Sequence, residues 1–157
     1  VRYPRGSGLG VDISGPMEDL PIGKAEVLKE GFDLCFWAIG SMVKPALDAA
    51  ELLAKEGISA GVVNMRFAKP LDTELLKAHA QRYGKIITLE EGVLAGGVGS
   101  AVLEYLNQEE LLDKCRVLTL GIPDEFILHG DKALLFKDIG LDTPAIAAKA
   151  ADFVREK

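Results

Sequence analysis

The stretch LEEGVLAGGVGSAV, residues 89–102, holds two residue types that do chemistry. Paired carboxylates such as Glu90 and Glu91 serve general acid–base catalysis. Glycines such as Gly92, Gly96, Gly97 and Gly99 let backbone N–H groups close round an anion at a helix N-terminus. The spacing supports neither use. Adjacent residues of a strand point to opposite faces, so the two carboxylates cannot flank one substrate. The glycines fit neither G-x-G-x-x-G nor G-x-x-x-x-G-K-[ST], and two negative side chains beside them would repel a phosphate. The expectation is capping and hydrogen bonding for the glutamates and close helix–sheet packing for the glycines.

The other reactive side chains are few. His79 lies mid-helix beside Lys77 and is expected to face solvent. His129, in GIPDEFILHGD, follows the C-terminal end of a strand, where α/β domains bind ligands, which keeps it as a candidate site residue. No Ser, Cys or carboxylate accompanies it at the spacing of a nucleophile and its base. Cys35 and Cys115 are far apart, each among apolar residues, and read as buried reduced thiols rather than a disulfide or a metal site. Trp37 reads as core. The opening VRYPRGSGLG sets Arg2 and Arg5 around a Tyr-Pro pair and runs straight into glycines, as a loose tail would, or as the end of a preceding unit would. The chain has no H-E-x-x-H, no C-x-x-C and no phosphate loop.

The elements that must position these residues alternate. Residues up to about Ile22 carry glycines and prolines without apolar periodicity and read as a linker. Two short strands follow, roughly Lys24–Lys29 and Asp33–Ile39, separated by a Glu-Gly turn. In MVKPALDAAELLAKEG, Val43, Ala46, Leu47, Ala50 and Leu53 fall at helical spacing before Gly57. ISAGVVNM is a strand, and KPLDTELLKAHAQRYG a helix capped by Asp72 and ended by Gly84. KIITLEE is the next strand, GGVGSAVLEYLNQEELL the next helix and CRVLTLGIP the fifth strand. DTPAIAAKAADFVREK closes the chain as a helix with Thr143 as cap and Pro144 in its first turn. Such alternation builds a three-layer α/β/α domain on a mostly parallel five-stranded sheet. The first strand, joined to the second by a tight turn, is expected to be its one antiparallel edge strand.

Bulk properties narrow the function. With 157 residues, 48% of them hydrophobic, the chain can bury a single core. A formal net charge of −6 without a Lys/Arg cluster argues against nucleic acid as a partner. No run approaches the length of a membrane span and no signal-peptide pattern opens the chain, so the expected setting is the cytoplasm, away from membranes.

Read together, RYPRG, LPIGKAEVLKEG, RFAKPLD, EEGVLAGGVGSAV and LGIPDEFILHG resemble, in that order, the C-terminal domain shared by transketolases and the β subunits of 2-oxo acid dehydrogenases. Within that group they are similar to the 1-deoxy-D-xylulose-5-phosphate synthases. The resemblance implies that residues 1–22 close a preceding pyrimidine-binding domain and supply a linker, and that residues 23–157 form a transketolase C-terminal-like domain. It implies a complete enzyme that condenses pyruvate with D-glyceraldehyde 3-phosphate on thiamine diphosphate and magnesium. That reaction releases carbon dioxide and feeds isoprenoid and thiamine biosynthesis. The present chain would be a structural, interface-forming piece, inactive alone and binding no cofactor or metal, since it contains no Gly-Asp-Gly motif. Its partners would be the preceding domains of the same polypeptide, in a homodimer. Arg5 is the one substrate residue the resemblance carries over, as a contact to the phosphate of glyceraldehyde 3-phosphate; Arg2 has no such role. Two alternatives stay open: the matching domain of a 2-oxo acid dehydrogenase β subunit, and a free-standing interaction module. The RYPRG opening favours the synthase, because a phosphate-bearing acceptor needs an arginine that an acyl-transfer partner does not.

Overall fold

The computed structural model describes residues 10, 12, 14–16 and 19–156. Strand β2, Leu34–Ala38, is the key to the architecture. All five of its residues, LCFWA, are buried, and a strand apolar on both faces must be covered on both sides. Leu34, Phe36 and Ala38 pack into one core with helices α1 (Val43–Lys55) and α5 (Thr143–Arg155). Cys35 and Trp37 point the other way, into a second core with α2 (Thr73–Tyr83) and α3 (Val98–Gln108). The result is the expected three-layer α/β/α sandwich.

The sheet runs β1-β3-β2-β4-β5, with β1 at Glu26–Lys29, β3 at Ala60–Asn64, β4 at Lys85–Val93 and β5 at Arg116–Ile122. All pairs are parallel except β1 with β3. The antiparallel edge strand is thus where the sequence places it, but its partner is not the strand that follows it. The turn after β1 crosses the start of β3 instead of folding back as a hairpin. The N–H groups of Phe32 and Asp33 both donate to the Ser59 carbonyl, at 3.0 and 2.9 Å. The burial patterns give the reason. β1 exposes Val27 and Leu28, as an edge strand can, whereas β2 gains full cover only between β3 and β4.

The helix ends follow local chemistry. Asp72 caps α2 by accepting from Leu75 N–H at 3.2 Å, and Gly84 ends it in the left-handed conformation at φ 65°. The cap of α5 is Asp142, which accepts from Ala145 N–H at 3.2 Å. Thr143, expected as the cap, is the first helical residue. A further helix, α4 at Lys132–Asp138, was not anticipated. It is only seven residues long, and its apolar residues Leu134, Leu135 and Phe136 are consecutive rather than at helical spacing, so no stripe announces it, although Phe136 packs partly against the core. No helix among the described residues is long and apolar enough to cross a membrane.

His79 corrects another expectation. It is 4% exposed, on the buried stripe Leu76, His79, Ala80, Tyr83 of α2. Its ring meets Trp37 edge-on at 5.7 Å and Tyr83 at 5.1 Å, and its Nδ1 lies 3.5 Å from Cys35 Sγ. Burial lowers the His79 pKa and, with Arg82, outweighs the opposing pull of Glu30 and Asp72. Burial also pushes the Cys35 thiol far up, so this Cys–His contact is no nucleophile pair. Cys115 is likewise buried and unpaired, its thiol pushed up to about 11. Both cysteines are inert core residues, as their neighbours in sequence imply.

A pH dependence follows. The folded state holds His79 neutral, so its contribution to stability is full above the unfolded pKa of about 6.5 and falls as the pH drops below it. Urea midpoints of the wild type should decline between pH 6.5 and 5 more steeply than those of His79→Gln. The excess slope is at most about 1.4 kcal/mol per pH unit, since one proton is involved. Equal slopes would show that His79 protonates as readily folded as unfolded.

Candidate functional site

The carboxyl edge of the sheet is where ligands bind in folds of this kind, and here β4 delivers Glu90 and Glu91 to opposite faces. Glu90 is 6% exposed, and its two carboxylate oxygens accept from the N–H groups of Val98 and Gly99, each at 2.9 Å. The residue at the helix start, Gly97, provides no side-chain cap. Glu90 therefore caps α3 from another element and occupies the place an external anion would take. The glycines are its cradle. A Cβ on Gly97 would lie 2.5 Å from both Glu90 oxygens, one on Gly92 2.9 Å from Oε2, and one on Gly121 3.1 Å from Cγ. Gly99 serves packing, since a Cβ there would meet Thr88 and Thr119 at 2.8 Å. Both sequence expectations for this stretch, capping glutamates and close packing, hold.

Glu91 faces the other layer. Ser41 donates to its carboxylate from the turn after β2, and Lys132 of α4 pairs with it at 2.7 Å. This ion pair forms one rim of a cavity of about 440 Å³. Its lining is largely apolar, with Ile122, Leu135, Phe136 and Ile139, and includes His129. The sequence singled out His129 but missed Ser41, Lys132 and the helix that completes the cavity. Among the described residues no group of three or more His, Cys, Asp or Glu could hold a metal ion. The arrangement can grip an apolar group beside a charged pair.

The family model for the transketolase C-terminal domain matches residues 23–146. The chain belongs to this family. It is 49% identical over 97% of its length to a 1-deoxy-D-xylulose-5-phosphate synthase of Heliobacterium modesticaldum, and 51% identical over 95% to one of Cyanothece. It spans 23% of each of those proteins, about a quarter of their length. A solved structure described as a split-gene transketolase, an inactive beta4 tetramer, superposes with a TM-score of 0.78. It is 36% identical over 92% of this chain and 45% of that one.

In this transketolase C-terminal domain the sequence-derived candidates separate cleanly. Glu90 and Glu91 tie elements together: one caps α3, the other joins β4 to α4 and to the turn after β2. His129 lines the cavity. His79 is sealed in the core. Arg5 and Arg2 lie outside the described residues. The signal for the glycine cradle was present in the sequence, as EEG followed by GGVG. What it could not show was that the anion they enclose is the protein's own.

Proposed function

We propose that this chain is the C-terminal domain of a thiamine-diphosphate-dependent 1-deoxy-D-xylulose-5-phosphate synthase. The complete enzyme would join pyruvate to D-glyceraldehyde 3-phosphate with loss of carbon dioxide. The supporting observation is the near-half identity to such synthases, which runs over almost the whole chain. In this reading residues 1–22 close the preceding domain and lead into the domain from 23 onward, and the enzyme works in the cytoplasm as a homodimer.

The residues described here do not fit the cofactor. The anion position at the start of α3 is filled by Glu90, and among the described residues no group of three or more His, Cys, Asp or Glu could hold a metal ion. In this reading thiamine diphosphate and its metal sit in the preceding domains, and this domain contributes packing and contacts. Arg5 is its substrate contact, through the phosphate of glyceraldehyde 3-phosphate.

The test is a chimera in which this chain replaces the matching quarter of the Heliobacterium synthase. It should make product from pyruvate and glyceraldehyde 3-phosphate; a folded but inactive chimera would count against the reading. Arg5→Ala in that chimera should weaken apparent affinity for the phosphorylated acceptor about ten- to a hundredfold. The estimate follows from the roughly 1.5–3 kcal/mol of a hydrogen bond to a charged group. Pyruvate should be far less affected. Arg5→Lys should recover part of the loss, because a point charge replaces a planar fork. Equal losses for glyceraldehyde and its 3-phosphate would make Arg5 a structural residue.

A further inference from the structure

Residues 123–140 run from the end of β5 to the approach to α5 and are fixed at both ends. Ile122 pairs with Val93 in the sheet, and its carbonyl accepts from Leu94 N–H at 3.0 Å. Past the other end Leu141 is buried, and Lys149 donates to the Gly140 carbonyl at 2.8 Å. Between these points the anchorage is thin. Phe126, Leu128 and Leu134 are exposed, and Phe136 and Ile139 pack only partly against the core. Helix α4 has no buried residue, although a helix of two turns draws most of its stability from packing. Hydrogen bonds inside the segment are local: Asp131 accepts from Ala133 and Leu134 N–H, and Glu125 N–H donates to the Pro123 carbonyl.

Among the described residues, the polar contact that ties the middle of this segment to the sheet is the Lys132–Glu91 pair at 2.7 Å. Lys132 serves twice. Its ammonium also lies 4.9 Å from the centroid of the Phe136 ring, one turn further along α4 and within cation–π range. A single cation therefore holds α4 to β4 and keeps Phe136 in place. The cavity of about 440 Å³ is lined by Glu91 and Ile122 from the sheet and by Leu135, Phe136 and Ile139 from the segment. Part of the inner side of α4 thus meets open space, and close packing does not supplement the pair there. Few buried apolar contacts, exposed side chains and a void beneath put this segment at the low-stability end of the domain.

We propose that residues 123–140 form a strap that opens as one unit while the rest of the domain stays folded, with Lys132 as its latch. Opening breaks the Lys132–Glu91 pair and lifts Phe136 and Ile139 off the core. It also releases the bond from Leu141 N–H to the Phe136 carbonyl, 2.7 Å long in the closed form. The latch is partly in water, with the Lys132 side chain 50% and the Glu91 side chain 32% exposed, so dissolved ions screen it. Ionic strength therefore sets the strap: low salt keeps it closed and high salt loosens it. The inference rests on the chain's own contacts and not on the reaction proposed above, and its test reads hydrogen exchange rather than turnover.

Amide exchange of the chain gives the test, with Leu135, Ile139 and Leu141 as reporters. Leu141 matters most, because that residue is buried and its amide loses its acceptor only when the strap lifts. The reporters should share one opening equilibrium, at least about a hundredfold more favourable than that of Ile87 and Leu89 in β4 and nearly indifferent to low urea, as a local opening is. Lys132→Met keeps the apolar stem and removes the charge. It should speed exchange at all the reporters about three- to tenfold, the worth of an exposed ion pair and a cation–π contact together, and leave β4 unchanged. Raising sodium chloride from about 0.05 to 1 M should speed them about two- to fivefold in the wild type and have no such effect in Lys132→Met. If Leu141 exchanges only with β4 while Leu135 and Ile139 exchange early, α4 merely frays and the proposal fails. It fails equally if wild type and Lys132→Met exchange at the same rates, or respond alike to salt.

Discussion

Glu90→Ala should cost this domain about 3–5 kcal/mol in urea denaturation, one of the largest losses available to a single polar side chain in it. The substitution leaves the N–H groups of Val98 and Gly99 without the carboxylate that accepts from both at 2.9 Å. Hydrogen bonds to charged groups contribute roughly 1.5–3 kcal/mol each, and a negative charge at a helix start adds about 0.3–1 kcal/mol. Water entering the space vacated by the side chain recovers part of that sum. Glu90→Gln keeps the shape but offers one acceptor and one donor to two donors, so about half the loss should remain. A cycle with Gly92 isolates the cradle. The atoms near a Cβ on Gly92 all belong to Glu90, the nearest at 2.9 Å. Gly92→Ala should therefore be destabilising in the wild type and close to neutral in the Glu90→Ala background. If Glu90→Ala cost less than about 1 kcal/mol, the carboxylate would be a bystander and the glycines would need another explanation.

Much of this architecture could be read from the chain because its periodicities are strong. Strand β2 reads as a continuous apolar run and α1 as a clear stripe, and they are found as β2, Leu34–Ala38, and α1, Val43–Lys55. Legibility fails where information is not local. Nothing within residues 24–39 says that β1 pairs with β3, because the pairing is decided by what β2 needs on both of its edges. His79 is hard to place because its neighbour Lys77 suggests a solvated face, although Leu76, Ala80 and Tyr83 mark its own face of α2 as buried. Helix α4 is hidden because it is short and its apolar residues are consecutive, so they form no helical stripe even though Phe136 packs partly against the core. At the sheet edge, sequence spacing correctly separated Glu90 from Glu91, yet the cavity beneath Lys132 draws on residues of β4, β5 and α4, and no local motif spans those.

Gly31→Ala should be the most damaging glycine substitution in the domain, and it bears directly on why β1 departs from the hairpin that the sequence invites. Gly31 sits in the turn that carries the chain from β1 over the start of β3. A Cβ there would lie 2.1 Å from Gly61 N, 2.4 Å from the Ala60 carbonyl carbon and 2.9 Å from Gly61 Cα. All three are backbone atoms of β3, which is held on both sides by β1 and β2. A flexible side chain could swing aside, but a central strand cannot move without breaking its ladders. The turn must lift instead, and lifting it removes the bond from Gly31 N–H to Tyr83 Oη at 3.2 Å and loosens the Glu30–Arg82 pair at 2.7 Å. Overpacking of this kind costs typically about 1–3 kcal/mol, and more when backbone must shift; a loss above about 4 kcal/mol, or failure to fold, is expected. Gly57→Ala is the control. Gly57 has φ +79° and nothing within 4 Å of its Cβ position, so its cost should be only the roughly 1–2 kcal/mol of a left-handed non-glycine residue. The comparison separates contact from conformation. If Gly31→Ala proved no worse than Gly57→Ala, the close approach to β3 would not be what sets the path of the turn.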